Sequence, residues 1–249
     1  MGVKQSMFVG DSFYNREGYK MIVVDYKNNS EVRVLFETGY ETVTSTGNIR
    51  RGSVRDKLIP TKGTLNVFGE GKYKSYSNGK HTKENRLWGS MLARVDNSTQ
   101  KRDPSYMDVS VTSEWRNFQV FSEWCNQQPE FFNKGSALDK DILIKGNKVY
   151  SPDTCCFVPP VINSLFVKAN KVRGECLIGV YKQGDKFTSK VGVGGKETLL
   201  GHFKTEEEAF EAYKRAKELN IQRMAKEYRN SISVRCYKAL MEYKVERTD

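Results

Sequence analysis

The fold class follows from residues 176–219, which read CLIGVYKQGDKFTSKVGVGGKETLLGHFKTEEEAFEAYKRAKEL. This segment holds three short runs that favour β-strands, with glycine-containing turns between them. The predicted strands are 176–181, 186–193 and 197–203. Thr205 follows the last run and Glu208 lies three residues later, which is the pattern of a capping box that begins a helix. A three-stranded sheet packed on a long helix therefore predicts an α+β fold.

Residues 170–249 are predicted to form this sheet domain, which ends with a second helix at 230–245. Alternation along the middle strand predicts that Phe187, Ser189 and the valines after them face the helix, so Thr188 and Lys190 lie on the open face. Lysine is suited to phosphate contacts, whereas Arg, Asn and Gln usually read base edges. The predicted DNA-binding residues, expected on one basic surface, are Arg173, Lys182, Lys186, Thr188, Lys190 and Lys196.

Residues 1–60 are predicted to form a small all-β module. The predicted strands are 19–26, 31–36, 38–43 and 48–54. A sheet of this size must close or pack to bury one face, so we expect a barrel-like module. Its basic run is either solvated or placed against DNA, and consists of Arg50, Arg51, Arg55 and Lys57.

Residues 61–83 are predicted to be a basic linker or arm, because glycines interrupt any regular pattern. Its lysines are Lys62, Lys72, Lys74, Lys80 and Lys83, with Glu70 as the nearby acid. Two interpretations stay open: the segment lies along a phosphate backbone, or it is a solvated linker.

Residues 84–169 are predicted to contain two amphipathic helices followed by a ββα unit. Trp88 lies on the apolar stripe of the first helix and Trp115 on that of the second, so both are expected in the core. A hairpin spanning 138–150 is predicted around a Gly146-Asn147 turn, and a helix is predicted at 161–167.

Composition limits the classes of function that the protein can have. Of the 249 residues, 41 are Lys or Arg and 30 are Asp or Glu, which gives a formal charge of +11 at pH 7. Aromatic residues make up 12%, which excludes a fully disordered chain. No apolar run approaches the length of a membrane span, so no membrane partner is expected. The positive charge favours an anionic partner, above all nucleic acid.

The five cysteines are odd in number, and the N-terminal sequence lacks the pattern of a secretion signal. Both features favour a reduced, intracellular protein, and the expected location is the cytoplasm.

Three motifs in the C-terminal segment resemble the DNA-binding domain of the plant Apetala-two/ethylene-response-factor type, a domain that also ends many phage and mobile-element endonucleases. They are Ile178-Gly179-Val180-Tyr181, Gly184-Asp185-Lys186-Phe187 and the run from Leu199 to Tyr213. The resemblance implies that the three-stranded sheet lies in the major groove of double-stranded DNA. Gly192 stands near the place where that family often has a base-reading arginine, so affinity is better supported than sequence specificity.

The central segment is similar to HNH homing endonucleases of phage type. The similarity is carried by Trp88 and Met91, by the aromatic series from Trp115 to Trp124, and by LDKDILIKGNKVYSPDTCCFVPPVIN at residues 138–163. It implies a ββα HNH-like catalytic core, a phage or mobile-element origin, and a hydrolase that nicks or cleaves double-stranded DNA with Mg²⁺ or Mn²⁺.

The family's Asp-His pair falls on Asp139-Lys140, so Lys140 stands where a histidine acts as general base. The helix-side metal ligand falls near Thr154. The catalytic candidates are therefore Asp139, Lys140 and Asp141, and the metal candidates are Asp139 and Asp141, whose carboxylate oxygens suit Mg²⁺. The alternative is that these carboxylates cap turns.

Three hypotheses follow. The first is a DNA-binding protein that cleaves or nicks DNA with a divalent metal. The second is a catalytically inactive HNH-fold DNA binder that acts as a regulator or inhibitor of a host system and needs no cofactor. The third is a protein-binding module whose partner is a host protein and whose charge is incidental.

Overall fold

The computed structural model describes residues 7–61, 63–166 and 176–247. Helices and strands are both abundant, which confirms the α+β prediction. The chain forms two compact units: the first runs to Met107 and adds Val111–Cys125, and the second contains Asp108–Ser110 and Asn126 onward. The predicted domain 84–169 is thus divided between the two units near Cys125. No described helix is both long and apolar enough to cross a membrane.

The strands of the first unit and of the junction are β1 Ser12–Tyr14, β2 Lys20–Asn28, β3 Glu31–Phe36, β4 Glu41–Thr44, β5 Tyr76–Ser77, β6 Lys80–His81 and β7 Ser110–Val111. Those of the second unit are β8 Ala137–Asp139, β9 Val149–Tyr150, β10 Cys156–Val158, β11 Val180–Gln183, β12 Lys186–Val193 and β13 Lys196–Phe203. The α-helices are α1 Thr46–Arg50, α2 Lys83–Val95, α3 Asn97–Arg102, α4 Phe118–Gln127, α5 Pro160–Asn163, α6 Glu206–Glu227 and α7 Val234–Glu242.

Strands β1 to β4 form an antiparallel sheet in the order β1-β2-β3-β4. Alternate residues of β2 and β3 are fully buried, among them Met21 and Val34, so one face of the sheet carries the core. The prediction of a fourth strand at 48–54 is wrong. Residues 46–50 form helix α1 instead, because the Ser45 side chain accepts a hydrogen bond from the Asn48 backbone and caps it.

The predicted linker at 61–83 packs against the protein over its first half. The Phe68 ring contacts Trp88 at 5.3 Å and Phe118 at 5.9 Å between centroids. Tyr73 exchanges hydrogen bonds with the Gln119 side chain, which donates at 2.9 Å and accepts at 3.0 Å. The second half of the segment forms the hairpin of β5 and β6.

The predicted hairpin around Gly146-Asn147 is wrong. Strand β8 pairs with β10, and Ser110 of β7 donates to the Lys148 carbonyl beside β9, so residues 140–148 form a loop. Helix α5 is a single turn followed by a 3-10 turn at Ser164–Phe166. Strand β10 and helix α5 share a core with the two C-terminal helices, in which Val158, Ile162 and Cys236 are fully buried.

The C-terminal sheet and its helix follow the sequence prediction. Strands β11, β12 and β13 pair antiparallel in that order, and α6 packs on one face. Thr205 and Glu208 form the predicted capping box. The last helix, α7, is shorter than the predicted 230–245, because Ser233 caps it at its beginning.

Candidate nucleic-acid interface

The register of the C-terminal sheet determines which side chains lie on its open face, the face that helix α6 does not cover. Thr188 pairs with Tyr181 on one side and with His202 on the other, and Lys186 pairs with Gln183. Directly paired residues place their side chains on the same face. The opposite face holds Val180, Phe187, Val191 and Phe203, which pack against α6.

A polar network lies at the centre of the open face. The Thr188 hydroxyl donates to Gln183 Oε1 at 3.2 Å and lies 2.9 Å from His202 Nδ1. Because the hydroxyl has one proton to give, Nδ1 of His202 is the donor in the second contact, and Nε2 is left as an acceptor. Thr188 is only 4% exposed, so little of its side chain is open to a partner. Its role here is to position Gln183 and His202.

Lys190 lies beside this network. Its Nζ is 5.5 Å from the centroid of the Tyr181 ring and 3.5 Å from Glu197 Oε2. The Tyr181 side chain and the neighbouring Leu199 are each about half exposed. Lys186 is exposed near the β11–β12 turn. The open face therefore combines two lysines with an exposed aromatic ring and hydrogen-bonding side chains.

The predicted basic surface is divided between two faces. Lys182 pairs with Phe187 and Lys196 pairs with Val193, and both of these partners pack on the helix side. Pairing thus places Lys182 and Lys196 opposite Lys186 and Lys190. The four lysines do not form one surface, and Arg173 lies outside the described residues.

Asp139 ends strand β8, and its carboxylate holds the loop that follows. Oδ1 accepts hydrogen bonds from the backbone of Asp141 at 2.7 Å and of Ile142 at 2.8 Å. Burial raises the pKa of the Asp139 carboxyl, and the two backbone donors oppose that rise. The same oxygen cannot turn to a metal without releasing both backbone groups.

Lys140 and Asn147 close the same loop. Lys140 Nζ donates to Asp141 Oδ1 at 2.6 Å and to the Asn147 carbonyl at 3.1 Å, and its side chain is 11% exposed. The Asn147 amide donates to the carbonyls of Lys140 and Val149 at 2.8 and 2.7 Å. The structure brings the three catalytic candidates together, and their contacts hold the loop of residues 140–148 in place.

These residues offer few free ligands to a catalytic Mg²⁺ or Mn²⁺ ion. A divalent ion of this kind needs oxygen ligands free to face it, and one oxygen of each carboxylate is already engaged, Asp139 Oδ1 by the backbone and Asp141 Oδ1 by Lys140. In residues 7–61, 63–166 and 176–247 no group of three His, Cys, Asp or Glu side chains is placed to hold a metal. Thr154, at the place of the helix-side ligand, donates to the Val149 carbonyl.

Sequence reasoning missed Tyr181, Gln183 and His202. Their positions follow from a β-bulge: the register shifts between Ser189 and Lys190, where Leu200 has no partner in β12. The extra residue reverses the alternation in β13 and turns His202 to the open face. Counting alternate residues of β13 from the Gly194-Gly195 turn therefore assigns residues beyond Leu200 to the wrong face of the sheet.

Comparison with protein-family models, curated proteins and solved structures gives no match to this chain.

Proposed function

We propose that the protein binds double-stranded DNA through the open face of β11, β12 and β13, and that it leaves the DNA intact. The observation that carries the proposal is the composition of this face, where Lys186 and Lys190 flank Gln183 and His202. Lysines neutralise phosphates, while amide and imidazole groups hydrogen-bond to base edges. The resemblance to a sheet-type DNA-binding domain supports the same surface.

The side chains around Asp139 favour the catalytically inactive alternative. A nuclease of the HNH type needs a general base and free metal ligands. Lys140 Nζ forms a salt bridge with Asp141 at 2.6 Å, and Asp139 Oδ1 is engaged by two backbone donors. We therefore assign this loop to stability and the sheet to DNA binding.

The experiment compares two double variants in a fluorescence anisotropy titration of a labelled 24-base-pair duplex. Lys186→Ala/Lys190→Ala removes two charges from the open face, and Lys182→Ala/Lys196→Ala removes two charges from the same sheet on the helix side. The open-face variant is expected to bind about tenfold more weakly, with a salt slope smaller by about 2.

The helix-side variant is the matched control and is expected to keep most of the affinity. Equal losses in both variants would show that charge acts without a preferred face, and wild-type affinity in both would remove the sheet from DNA binding. DNA binding whose affinity does not fall with salt would contradict phosphate contacts made by these lysines.

A further inference from the structure

The hairpin of β5 and β6 projects a second set of basic and aromatic side chains, in the first unit. Tyr76 pairs with His81, and Ser77 with Lys80. All residues from Tyr76 to His81 are exposed, and the Tyr76 side chain is 52% exposed. A two-stranded ribbon with no covered face is marginal by itself, so its order must come from the elements on which it stands.

The turn of this hairpin has a fixed shape. Asn78 has φ +50° and Gly79 has φ +71°, so both central residues are left-handed. This is the signature of a type I′ turn, whose twist matches that of paired strands. No side chain or backbone atom lies within 4 Å of the place where a Gly79 Cβ would stand, so the tip is open.

The base of the hairpin is fastened to the beginning of helix α2. The Ser75 carbonyl accepts from the Thr82 backbone and from Asn85 Nδ2, both at 3.0 Å. Arg86 donates to the His81 carbonyl at 2.7 Å. These bonds hold the two strands in one orientation before any partner arrives.

The same contacts indicate which atoms of the exposed pair, Tyr76 and His81, carry protons. Asn85 Nδ2 lies 2.6 Å from His81 Nδ1 and already donates to a carbonyl, so Nδ1 accepts and Nε2 carries the ring proton. Nε2 lies 2.5 Å from the Tyr76 hydroxyl and donates to it. The phenol proton of Tyr76 is then available to an acceptor outside the protein.

The segment that contains the hairpin carries charged side chains of one sign. No acidic residue occurs from Gly71 to Lys83, and Lys74 and Lys80 are exposed. Between residues 50 and 102 the sequence has thirteen Lys and Arg against four Asp and Glu, which is most of the net charge of +11. An anionic partner is therefore drawn to this part of the first unit.

We propose that the β5–β6 hairpin is a second DNA-binding element that enters the major groove of double-stranded DNA, with Lys74 and Lys80 on the phosphates. Paired strands lie about 4.8 Å apart, so the ribbon with its side chains fits the groove of B-form DNA, which is about 12 Å wide and accepts a two-stranded ribbon. The major groove of duplex RNA is too narrow for it. This inference rests on the proposed function for the identity of the partner but uses different residues.

The test titrates a labelled 24-base-pair DNA duplex, and an RNA duplex of the same sequence, with four proteins. They are the wild type, Lys74→Ala/Lys80→Ala, the open-face variant Lys186→Ala/Lys190→Ala, and Lys20→Ala/Lys27→Ala as a control that removes equal charge from strand β2. The hairpin variant is expected to bind DNA about three- to tenfold more weakly, with a salt slope smaller by about 2, and the control to match the wild type.

The outcomes separate the two proposals. A hairpin variant that binds like the control overturns the hairpin proposal, even if the open-face variant is weakened. If the hairpin variant binds DNA more weakly while the open-face variant binds like the wild type, the sheet proposal is overturned and the hairpin proposal is supported. Equal binding of duplex RNA, lost to the same extent in the hairpin variant, overturns entry into the major groove.

A second measurement needs no substitution. Lysine acetylation of the wild-type protein, with and without the DNA duplex, is followed by mass spectrometry. Lys74 and Lys80 are expected to be protected several-fold by DNA, while Lys20 and Lys27 keep their rates. Unchanged acetylation of Lys74 and Lys80 at saturating DNA would overturn the proposal independently of any effect of mutation on folding.

Discussion

At the scale of single residues, Asp139 shows that a residue at a motif position need not have the chemical role that the motif implies. The resemblance to HNH enzymes predicts a metal ligand at this carboxylate, and in the structure its Oδ1 accepts hydrogen bonds from the backbone of Asp141 and Ile142. The type and spacing of the residues were visible in the sequence. The direction in which the carboxylate points depends on the loop that β8 enters, and no sequence pattern specified that loop.

This role predicts different effects for two substitutions at Asp139. Asn retains an oxygen that accepts both backbone hydrogen bonds, whereas Ala leaves two partly buried donors without a partner, at a cost of about 2 kcal/mol or more. Thermal unfolding at pH 7 should show Asp139→Asn at or above the wild-type Tm and Asp139→Ala lower by about 4–8 °C.

The pH dependence of these variants follows from the raised pKa of the Asp139 carboxyl. The folded state keeps its proton at a pH where the unfolded chain has lost it, so this group stabilises the fold less at neutral pH than below its ordinary pKa. The stability advantage of Asp139→Asn over the wild type should therefore shrink as the pH falls from the raised pKa of Asp139 to its ordinary pKa. Equal losses in the Asn and Ala variants would contradict the capping role.

At the scale of elements, two turn signals had opposite outcomes. Gly146-Asn147 predicted a hairpin, but the segments beside it pair with other strands, β10 and β7, and tertiary pairing prevails over the local signal. Asn78-Gly79 lies in the segment predicted to be a linker and does form a hairpin. The Asn-Gly order is the stronger type I′ signal, and the glycines and lysines around it obscured it.

The contact between the C-terminal sheet and helix α6 leads to a second prediction, at Gly179. This residue has φ +73°, and a Cβ built on it would lie 2.0 Å from the buried Tyr213 ring. Gly184 has φ +61° with no atom within 4 Å of its added Cβ. Gly184→Ala therefore costs only the backbone strain, about 1 kcal/mol, whereas Gly179→Ala adds overpacking and costs about 3 kcal/mol or more.

Chemical denaturation of the two variants checks this difference. Gly179→Ala should unfold at a clearly lower denaturant concentration than Gly184→Ala, with the wild type the most stable. Similar midpoints for the two alanine variants would show that Tyr213 moves aside, and that the sheet–helix contact is looser than the structure indicates.

At the scale of the whole molecule, the strand and helix patterns predicted the class of fold, whereas the anionic partner that the composition favours stays a prediction. The strands and capping box of the C-terminal sheet were predictable because alternation and capping are local patterns. The division into two units was not, since it depends on β10 and α5 packing against the distant helices α6 and α7. The bulge that turns His202 to the open face was hidden for the same reason, because it exists only in the pairing of two strands.

The most direct test of DNA binding without cleavage is incubation of the purified protein with supercoiled plasmid in Mg²⁺, in Mn²⁺ and in chelator, beside Asp139→Ala/Asp141→Ala. We predict plasmid that is retarded on a gel in all three conditions and remains supercoiled after the protein is removed. Metal-dependent nicked or linear plasmid, lost in the double variant, would contradict this account, as would plasmid that the protein does not retard at low salt.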